Sequence, residues 1–490
     1  MAAMRRRDFL RLSLAASAAT AVSPSLLAAP VTVRLTLFPD RRIAPVPADF
    51  TGLSYETAQL GDPDFFSPEN RALVGLVRRL GAQGVLRIGG NTSENSHWKA
   101  DGEAVSVSGS PVGPDTGKNT PSLTAITPRA IDNLRGFLEA TGWNLMYGLN
   151  MATGTPESAA EEASYVWKTC GKRALAFQIG NEADLFHQNG MRKPSYGQAD
   201  FFVEWRRFFE EIRRKVPEAA FAGPDTANAT AWLLPFAQEF HSELKLLTEH
   251  YYAEGPPTNP AMTLDRLLHP NPKLESELAA TVEARKATGV PFRLAETNSC
   301  YSGGKEGVSN TFGAALWTAE LMFQVAASGG VGINFHGGGY GWYTPIAGTR
   351  EKGFSAQPGY YGMLLFQQAL GQAGAAELID ARLEGNDPQV TVYALRDGDG
   401  QRLVLFNKSS APVTVDLNLG REQKAGVRVL RLTGPSLEST DGITLGGAPV
   451  SRNGEWEPAT QESLPPSGKN GRGKRALLAL PAGSAALVML

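Results

Sequence analysis

The sequence predicts an α/β protein: a (β/α)8 TIM barrel with a C-terminal all-β, sandwich-like domain. Between residues 46 and 370, short apolar segments alternate with amphipathic helical segments in eight strand–helix units, the usual content of such a barrel with insertions. Beyond about residue 371 the helical pattern gives way to β-type segments. Polar residues directly follow several apolar strands, as they do in barrels with a site at the C-terminal ends of the strands.

The eight predicted barrel strands are short, apolar and bounded by turn residues. They are Phe50–Tyr55, Val85–Ile88, Asn144–Leu149, Ala174–Gly180, Ala219–Gly223, Leu246–Tyr252, Phe292–Glu296 and Val331–His336. The predicted helices have apolar residues three and four apart. They are Glu69–Leu80, Pro128–Ala140 with Thr127 as N-cap, Pro156–Cys170, Gln198–Lys215, Ala231–His241, Lys273–Ala287, Asn310–Ala327 and Tyr360–Leu370. A doubly wound sheet is the alternative, disfavoured because no GxGxxG motif opens a helix after the first strand.

The segment after residue 371 predicts an accessory β-domain. Val390–Leu395 and Leu403–Phe406 flank a run of Asp and Gly, which is the pattern of a β-hairpin. Further strand-like segments follow up to residue 490. The alternating segment Val31–Leu37 precedes the barrel and is expected to pair with this domain. The predicted domains are residues 46–370 for the barrel, and residues 31–45 with 371–490 for the accessory domain.

Residues 1–29 have the pattern of an export signal. Arginines at positions 5, 6 and 7 precede Asp-Phe-Leu, and an Ala-rich apolar run and small residues follow. Paired arginines in this context resemble the twin-arginine signal, which implies export of a folded protein to the periplasm or the exterior. A disordered start or an amphipathic helix is the alternative. The apolar run is too short to span a membrane.

Composition excludes several classes of protein. The chain has 490 residues, 42% apolar and 20% charged, which is typical of a globular protein. A formal net charge of −2 gives no general attraction to nucleic acid. There are two cysteines, Cys170 and Cys300, and Cys300 is expected to be a small buried thiol. No metal-ligand spacing or cofactor motif is present, so we expect no metal and no cofactor.

Glu182 and Glu296 are the candidate catalytic residues. Each follows a short apolar segment, and the sequence predicts that the strand breaks immediately after Glu296. In a barrel they would end the fourth and seventh strands, whose C-terminal ends lie on one face. Two carboxyl groups are what hydrolysis of a glycosidic bond requires. Taken singly, either glutamate could instead be a surface residue that closes a strand.

Asn181 directly precedes Glu182. Its amide could donate a hydrogen bond to the 2-hydroxyl of a sugar, a contact that strengthens in the transition state. The placement of Asn181, Glu182 and Glu296 resembles the large clan of retaining glycosidases, in which the acid/base follows Asn on strand four and the nucleophile ends strand seven.

Several longer stretches sharpen this resemblance. LAETNSCYSGG with SNTFGAALW, FQIGNEADLF, VLRIGGNTSEN, EHYYAEG and GGYGWYTP together resemble glycoside hydrolase family 79, the β-glucuronidase and heparanase family. The resemblance spans the whole predicted barrel. It implies that Glu182 is the acid/base and Glu296 the nucleophile.

The resemblance also implies roles in substrate binding. Tyr301, the backbone of Gly303, and Tyr343 would contact the uronate carboxylate, since phenol O–H and backbone N–H groups can hold an anion without a cation. The residues that would donate to Glu296, contact ring hydroxyls or line the same subsite are Tyr252, Glu56, Asn91 and His336. Tyr252 could also be a barrel-lining aromatic, and Glu56 a surface residue. His250 is expected to be a satisfied interior histidine.

The expected activity is exo-acting hydrolysis of terminal β-linked glucuronic acid, with its 4-O-methyl form as a second candidate substrate. The partner is thus a glucuronic-acid-containing oligosaccharide, polysaccharide or glycoconjugate. The alternatives are a heparanase-like endo-hydrolase, a neutral-sugar glycosidase of the same clan and a non-catalytic carbohydrate-binding protein. The first is disfavoured because no dense run of Lys and Arg lies near the site loops.

Overall fold

The computed structural model describes residues 31–102, 123–385, 387–398, 400–423, 427–460, 462–466 and 473–490. The predicted export signal, residues 1–29, lies outside these ranges, as do residues 103–122. No helix in the described ranges has both the length and the apolar character that crossing a membrane would require.

The strands and helices alternate through the first three-quarters of the chain, and strands dominate the remainder. The strands are β1 (Val31–Val46), β2 (Thr51–Glu56), β3 (Val85–Gly89), β4 (Ser96–Trp98), β5 (Thr124–Ile126), β6 (Asn144–Leu149), β7 (Ala174–Ile179), β8 (Phe221–Thr226), β9 (Leu244–Glu254), β10 (Phe292–Cys300), β11 (Ile333–Gly337), β12 (Ile346–Thr349), β13 (Gly353–Ala356), β14 (Ala376–Leu383), β15 (Val390–Asp397), β16 (Gly400–Asn407), β17 (Val413–Gln423), β18 (Val427–Thr433), β19 (Thr444–Leu445), β20 (Glu462–Leu464), β21 (Gly473–Leu480) and β22 (Ser484–Met489). The α-helices are α1 (Arg71–Arg79), α2 (Pro128–Thr141), α3 (Pro156–Cys170), α4 (Gln198–Lys215), α5 (Thr230–Phe240), α6 (Leu264–Leu268), α7 (Pro272–Thr288), α8 (Phe312–Ala327) and α9 (Pro358–Leu370).

Eight parallel strands close into a barrel, as the alternation of strands and helices predicts. Their order around the barrel is β2-β3-β6-β7-β8-β9-β10-β11, and β11 pairs with β2 to close it. Each predicted barrel strand and helix is present, with ends displaced by a few residues. The expected cap of α2 is also present, since the Thr127 side chain accepts a hydrogen bond from the backbone N–H of Ala130.

The barrel interior has two layers of different chemistry. Its lower layer is a small apolar core formed by Val85, Met146, Ala176, Ala222, Leu246 and Ala295. Side chains two residues apart on a strand point to the same face. The next inward-facing positions on three of these strands are therefore Arg87, Gln178 and Thr248, all fully buried. The polar layer that they begin leads to the C-terminal face of the barrel.

The prediction that the seventh barrel strand breaks immediately after Glu296 is wrong. Strand β10 continues to Cys300, and its polar residues pair with β9, for example Asn298 with Tyr252. The pairing is irregular between Leu294 and Glu296, where β10 shifts register against β9. Such an irregularity re-aims side chains, and it places Glu296 opposite His250 on β9.

The strands beyond the barrel form one continuous ten-stranded sheet. Residues from both ends of this sheet, including Val429 of β18 and Leu478 of β21, share one apolar core. The sheet therefore closes over itself in the manner of a sandwich. Strand β1 precedes the barrel and lies in this sheet between β14 and β17, antiparallel to the first and parallel to the second.

The barrel and the β-sheet meet at helix α8, almost all of whose residues are buried. The ring of Phe323 on α8 stacks on Tyr393 of β15 with centroids 4.9 Å apart. Beside it, Nζ of Lys408 lies 2.5 Å from Oε2 of Glu320, and both side chains are buried. The two parts of the chain thus share both apolar and charged contacts.

Candidate active site

The two predicted catalytic glutamates meet at the C-terminal face of the barrel. Glu182 lies just beyond β7, and Glu296 lies within β10. Their nearest carboxylate oxygens are within 4.8 Å of each other. The fold therefore brings together two side chains that are far apart in sequence.

Glu296 is surrounded by hydrogen-bond donors and cations. Its Oε2 accepts a hydrogen bond from Nη1 of Arg87 at 2.5 Å, and its Oε1 accepts one from the Tyr252 hydroxyl at 2.8 Å. Nδ1 of His336 lies 3.6 Å from Oε2. Burial alone would raise the pKa of Glu296, but His336, His250 and Arg87 together hold it well below its usual range. This environment favours the ionised form of Glu296.

Glu182 has the opposite electrostatic setting. Burial raises its pKa; the hydrogen bond from His250 opposes this rise, and the negative charge of Glu296 adds to it. Its Oε1 lies 2.9 Å from Nδ1 of His250. The backbone of Glu182 is left-handed, with φ of 53°, a conformation that costs a non-glycine residue about 1–2 kcal/mol. This turn lets both Asn181 and Glu182 reach the face of the barrel.

Arg87 is the central cation of the site, and the sequence reasoning did not single it out. It donates five hydrogen bonds, to Gln178 Oε1, Ser54 Oγ, Glu296 Oε2, Asn181 Oδ1 and Asp225 Oδ2. The signal was available, because a charged residue inside an apolar strand must be paired if it is buried. Its guanidinium group thus holds side chains from β2, β7, β8, β10 and the loop after β7 in one arrangement.

Asp225 and His250 complete the network behind the two glutamates. Asp225 accepts hydrogen bonds from Arg87 and Gln178, and Nε2 of His250 lies 3.2 Å from its Oδ1. Burial lowers the pKa of His250, but Asp225 and Glu296 raise it well above its ordinary value. As expected, His250 is a buried histidine with partners at both nitrogens, but one of those partners is Glu182.

The residues predicted for carboxylate binding lie next to this network. The Tyr252 ring is 6.3 Å from the ring of Tyr301 and 6.2 Å from that of Tyr343, measured between centroids. Gly303 has φ of 90°, a conformation that favours glycine, and its carbonyl accepts a hydrogen bond from the backbone N–H of Trp342. This contact joins the loop after β10 to the loop after β11.

Of the remaining predicted residues, His336 lies beside Glu296 and Glu56, and Asn91 lies beside Asn181. Oε2 of Glu56 accepts hydrogen bonds from the backbone N–H and the hydroxyl of Thr92, and its Oε1 is 3.5 Å from Nε2 of His336. Nδ2 of Asn181 donates to Oδ1 of Asn91 at 3.3 Å. The fold therefore assembles every site residue that the sequence suggested within one connected cluster.

The donor atoms of Glu182, His250 and Glu296 are close enough to be considered for a metal ion. However, both ring nitrogens of His250 lie within hydrogen-bond distance of carboxylates, and the raised pKa of His250 favours protons at these positions. The cluster therefore favours a protonated histidine that is hydrogen-bonded to two carboxylates. The expectation that no metal is needed stays a prediction.

Known proteins resemble this chain in both of its parts. Residues 392–487 match the family described as glycosyl hydrolase family 79 C-terminal beta domain. A β-glucuronidase of Neurospora crassa is 28% identical over 333 residues, which cover 61% of this chain and 58% of that protein. A β-glucuronidase of Aspergillus niger is 26% identical over 360 residues, covering 66% of this chain and 65% of that protein. These matches support glycoside hydrolase family 79 as the family that this chain resembles, and they span less than two thirds of the length of each of these two relatives.

Another relative and two solved structures extend the comparison. Chicken (Gallus gallus) heparanase is 25% identical over 326 residues, which cover 61% of this chain and 59% of that protein. The crystal structure of a 4-O-α-L-rhamnosyl-β-D-glucuronidase from Fusarium oxysporum has a TM-score of 0.73 at 20% identity, covering 94% of this chain and all of the other. The family 51 arabinofuranosidase of Xanthomonas axonopodis pv. citri has a TM-score of 0.66 at 18% identity, covering 94% of this chain and all of the other. These structures show the shared fold.

Proposed function

We propose that this protein is a retaining, exo-acting β-glucuronidase. The observation that carries the proposal is the pair of facing carboxyl groups whose pKa values are shifted in opposite directions, that of Glu182 up and that of Glu296 down. Retaining glycosidases place their two carboxyl groups about 5–5.5 Å apart, one as nucleophile and one as acid. Nearest oxygens within 4.8 Å of each other fit this class.

The reaction proceeds in two displacements. An ionised oxygen of Glu296 attacks the anomeric carbon while the glycosidic C–O bond breaks, and the proton of Glu182 passes to the departing oxygen. A glycosyl ester on Glu296 results. Esterification removes the charge of Glu296, so Glu182 can ionise and take a proton from water, which attacks the anomeric carbon and frees Glu296. Arg87 and Tyr252 hold Glu296 in the attacking geometry through the hydrogen bonds described above.

The phenols beside Glu296 support a uronate as the sugar. Tyr301 and Tyr343 both lie against Tyr252, and the Gly303 backbone adjoins them. O–H and N–H donors in this position suit the C6 carboxylate of glucuronic acid. The names of the Neurospora, Aspergillus and Fusarium relatives, all glucuronidases, agree with this substrate class. Asn181, Asn91, Glu56 and His336 would then contact the ring hydroxyls.

Hydrolysis of 4-nitrophenyl β-D-glucuronide by the wild type, Glu182→Ala and Glu296→Ala tests the proposal. Glu239→Ala is the control, because Glu239 lies on α5 in an exposed pair with Arg206. We expect release by the wild type and the control, and loss in both site variants. The first product should be β-glucuronic acid by proton NMR, whereas an α product would contradict the retaining mechanism.

The same preparation separates the alternative activities. Release of internal oligosaccharides from heparan sulfate without cleavage of the aryl glucuronide would replace the exo-acting proposal by an endo-acting one. Cleavage of an aryl β-xyloside alone would indicate a neutral-sugar enzyme. Binding of glucuronides without turnover would indicate a carbohydrate-binding protein. A 4-O-methyl aryl glucuronide, compared with the unmethylated one, measures the preference at that position.

Residues 1–29 support a separate proposal, export through a twin-arginine pathway. Fused to a folded reporter, this segment should deliver the reporter to the periplasm or the exterior. Replacing Arg6 and Arg7, the two arginines directly before Asp8, by Lys should stop delivery. Unchanged delivery by the double variant would contradict the pathway.

A further inference from the structure

Glu94 is a buried glutamate beside the active site that the proposed reaction does not use. It lies on a short 3-10 helix, Asn91–Asn95, that follows β3. Its side chain is 1% exposed. A carboxyl group this far from solvent needs hydrogen-bond donors, and the donors that it has come from two other loops of the barrel.

Three backbone N–H groups donate to the Glu94 carboxylate. The Asn181 N–H donates to Oε1 at 2.6 Å. The N–H groups of Met151 and Ala152 donate to Oε2 at 2.9 and 2.6 Å. The carbonyl groups of the same two residues accept hydrogen bonds from Arg192, whose positive charge acts to lower the pKa of Glu94. One side chain thus connects the loops that follow β3, β6 and β7.

The contact with Asn181 holds the middle of the turn that presents Glu182. In this turn the N–H of Gly180 donates to the Leu149 carbonyl, and the N–H of Glu182 donates to the Asp225 carbonyl. Within the part of the chain that the structure describes, the amide between them, that of Asn181, donates to Oε1 of Glu94 and to no backbone carbonyl. Glu182 directly follows Asn181 and has a left-handed backbone conformation. Small displacements of the Asn181 peptide therefore change the direction of the Glu182 carboxyl group.

We propose that Glu94 is a positioning residue for the acid/base: through the Asn181 amide it fixes the turn that aims Glu182 at the departing oxygen. A carboxylate fits this place because it is an acceptor at both oxygens. Glutamine has the same shape but offers one acceptor and one NH2 group. Whichever way the glutamine amide turns, it presents donors to a backbone N–H. This inference rests on the proposed function of Glu182.

Glu94→Gln is the test, with aryl β-glucuronides of good and poor leaving groups as substrates. A departing 2,4-dinitrophenolate needs little help from an acid, whereas a departing 4-methoxyphenolate needs a proton. We expect kcat/KM for the poor leaving group to fall at least about tenfold more than for the good one, which is a part of the roughly 10²–10⁴-fold that general acid catalysis contributes. Because the ratio of the two kcat/KM values does not depend on the amount of folded enzyme, it separates positioning from loss of stability.

Glu162→Gln is the matched control. Glu162 is also buried, burial raises its pKa to about 7 as it does that of Glu94, and it accepts a hydrogen bond from the Tyr147 hydroxyl behind the barrel wall. Its substitution should leave the ratio at the wild-type value. If Glu94→Gln does not fold, the same ratio of kcat/KM values is measured for Glu94→Asp, whose shorter carboxylate cannot reach all three amides. The same change in the ratio is expected for that variant.

The outcomes are distinct. Equal losses for both leaving groups in the Glu94 variant would overturn the positioning role and leave the proposed function standing. No hydrolysis of either substrate by the wild type would overturn the proposed function itself, and the role of Glu94 with it.

Discussion

Replacing Arg87 by Lys tests whether the guanidinium fork, rather than its charge alone, holds the site together. Arg87 donates five hydrogen bonds, two of them to the carboxylates of Asp225 and Glu296. Lysine has three donors, so at least two of these contacts are lost. Each hydrogen bond to a charged group contributes about 1.5–3 kcal/mol. The expected loss of stability is therefore about 3–6 kcal/mol, a large part of the roughly 5–15 kcal/mol typical of folded proteins.

The same substitution should change the pH dependence of hydrolysis. Glu296 must be ionised to attack, and Arg87 is one of the groups that lower its pKa. A lysine that cannot keep the 2.5 Å contact with Glu296 lowers the pKa of Glu296 less than Arg87 does. Because burial still raises this pKa, the pKa of Glu296 should increase in the variant. The acid limb of kcat/KM should therefore move to higher pH, while the limb set by Glu182 moves less.

Urea unfolding and the pH profile of kcat/KM measure the two effects. Arg129→Lys is the matched control, because Arg129 makes an exposed two-pronged contact with Asp64 at 2.8 and 3.0 Å, and exposed pairs contribute about 0–1 kcal/mol. The free energy of unfolding of Arg87→Lys could lie within about 1 kcal/mol of the wild-type value, with the acid limb of kcat/KM at the same pH. In that case the argument that five directed hydrogen bonds organise this site is wrong.

Three further predictions concern separate groups. Tyr252→Phe removes the hydroxyl that lies 2.8 Å from Glu296, so kcat/KM should fall about tenfold to hundredfold and the acid limb should move to higher pH; an unchanged profile would contradict this role. Burial raises the pKa of Glu277 to about 8, above an unfolded value of about 4.3, so this group costs stability progressively as pH rises between those values. The thermal midpoint of Glu277→Gln should therefore exceed that of the wild type by more at pH 8 than at pH 5, and equal differences would refute the assignment. Lys408→Met leaves Glu320 buried without its 2.5 Å partner and should cost about 3–5 kcal/mol in urea unfolding, most of which the added substitution Glu320→Leu should restore.

Local patterns determined the architecture and the candidate carboxylates. The barrel strands are buried on both sides and appear in the sequence as apolar runs, whereas the helices between them carry apolar residues on one face. The pattern of a few residues therefore predicts whether each element is a strand or a helix. The pairing of the alternating segment Val31–Leu37 with the accessory domain was also predicted, and β1 lies in that sheet. Glu182 and Glu296 stood out because each follows an apolar run in the sequence.

Only the tertiary structure decided what surrounds those carboxylates. That Arg87 contacts Glu296, that Asp225 lies behind His250, and that Glu94 holds the Asn181 amide are all contacts between residues distant in sequence. No local pattern specifies such pairs, because a side chain's partner depends on which strands the closed barrel makes neighbours. The continuation of β10 beyond Glu296 has the same cause: its polar residues stay in the strand because β9 supplies backbone partners as far as Cys300.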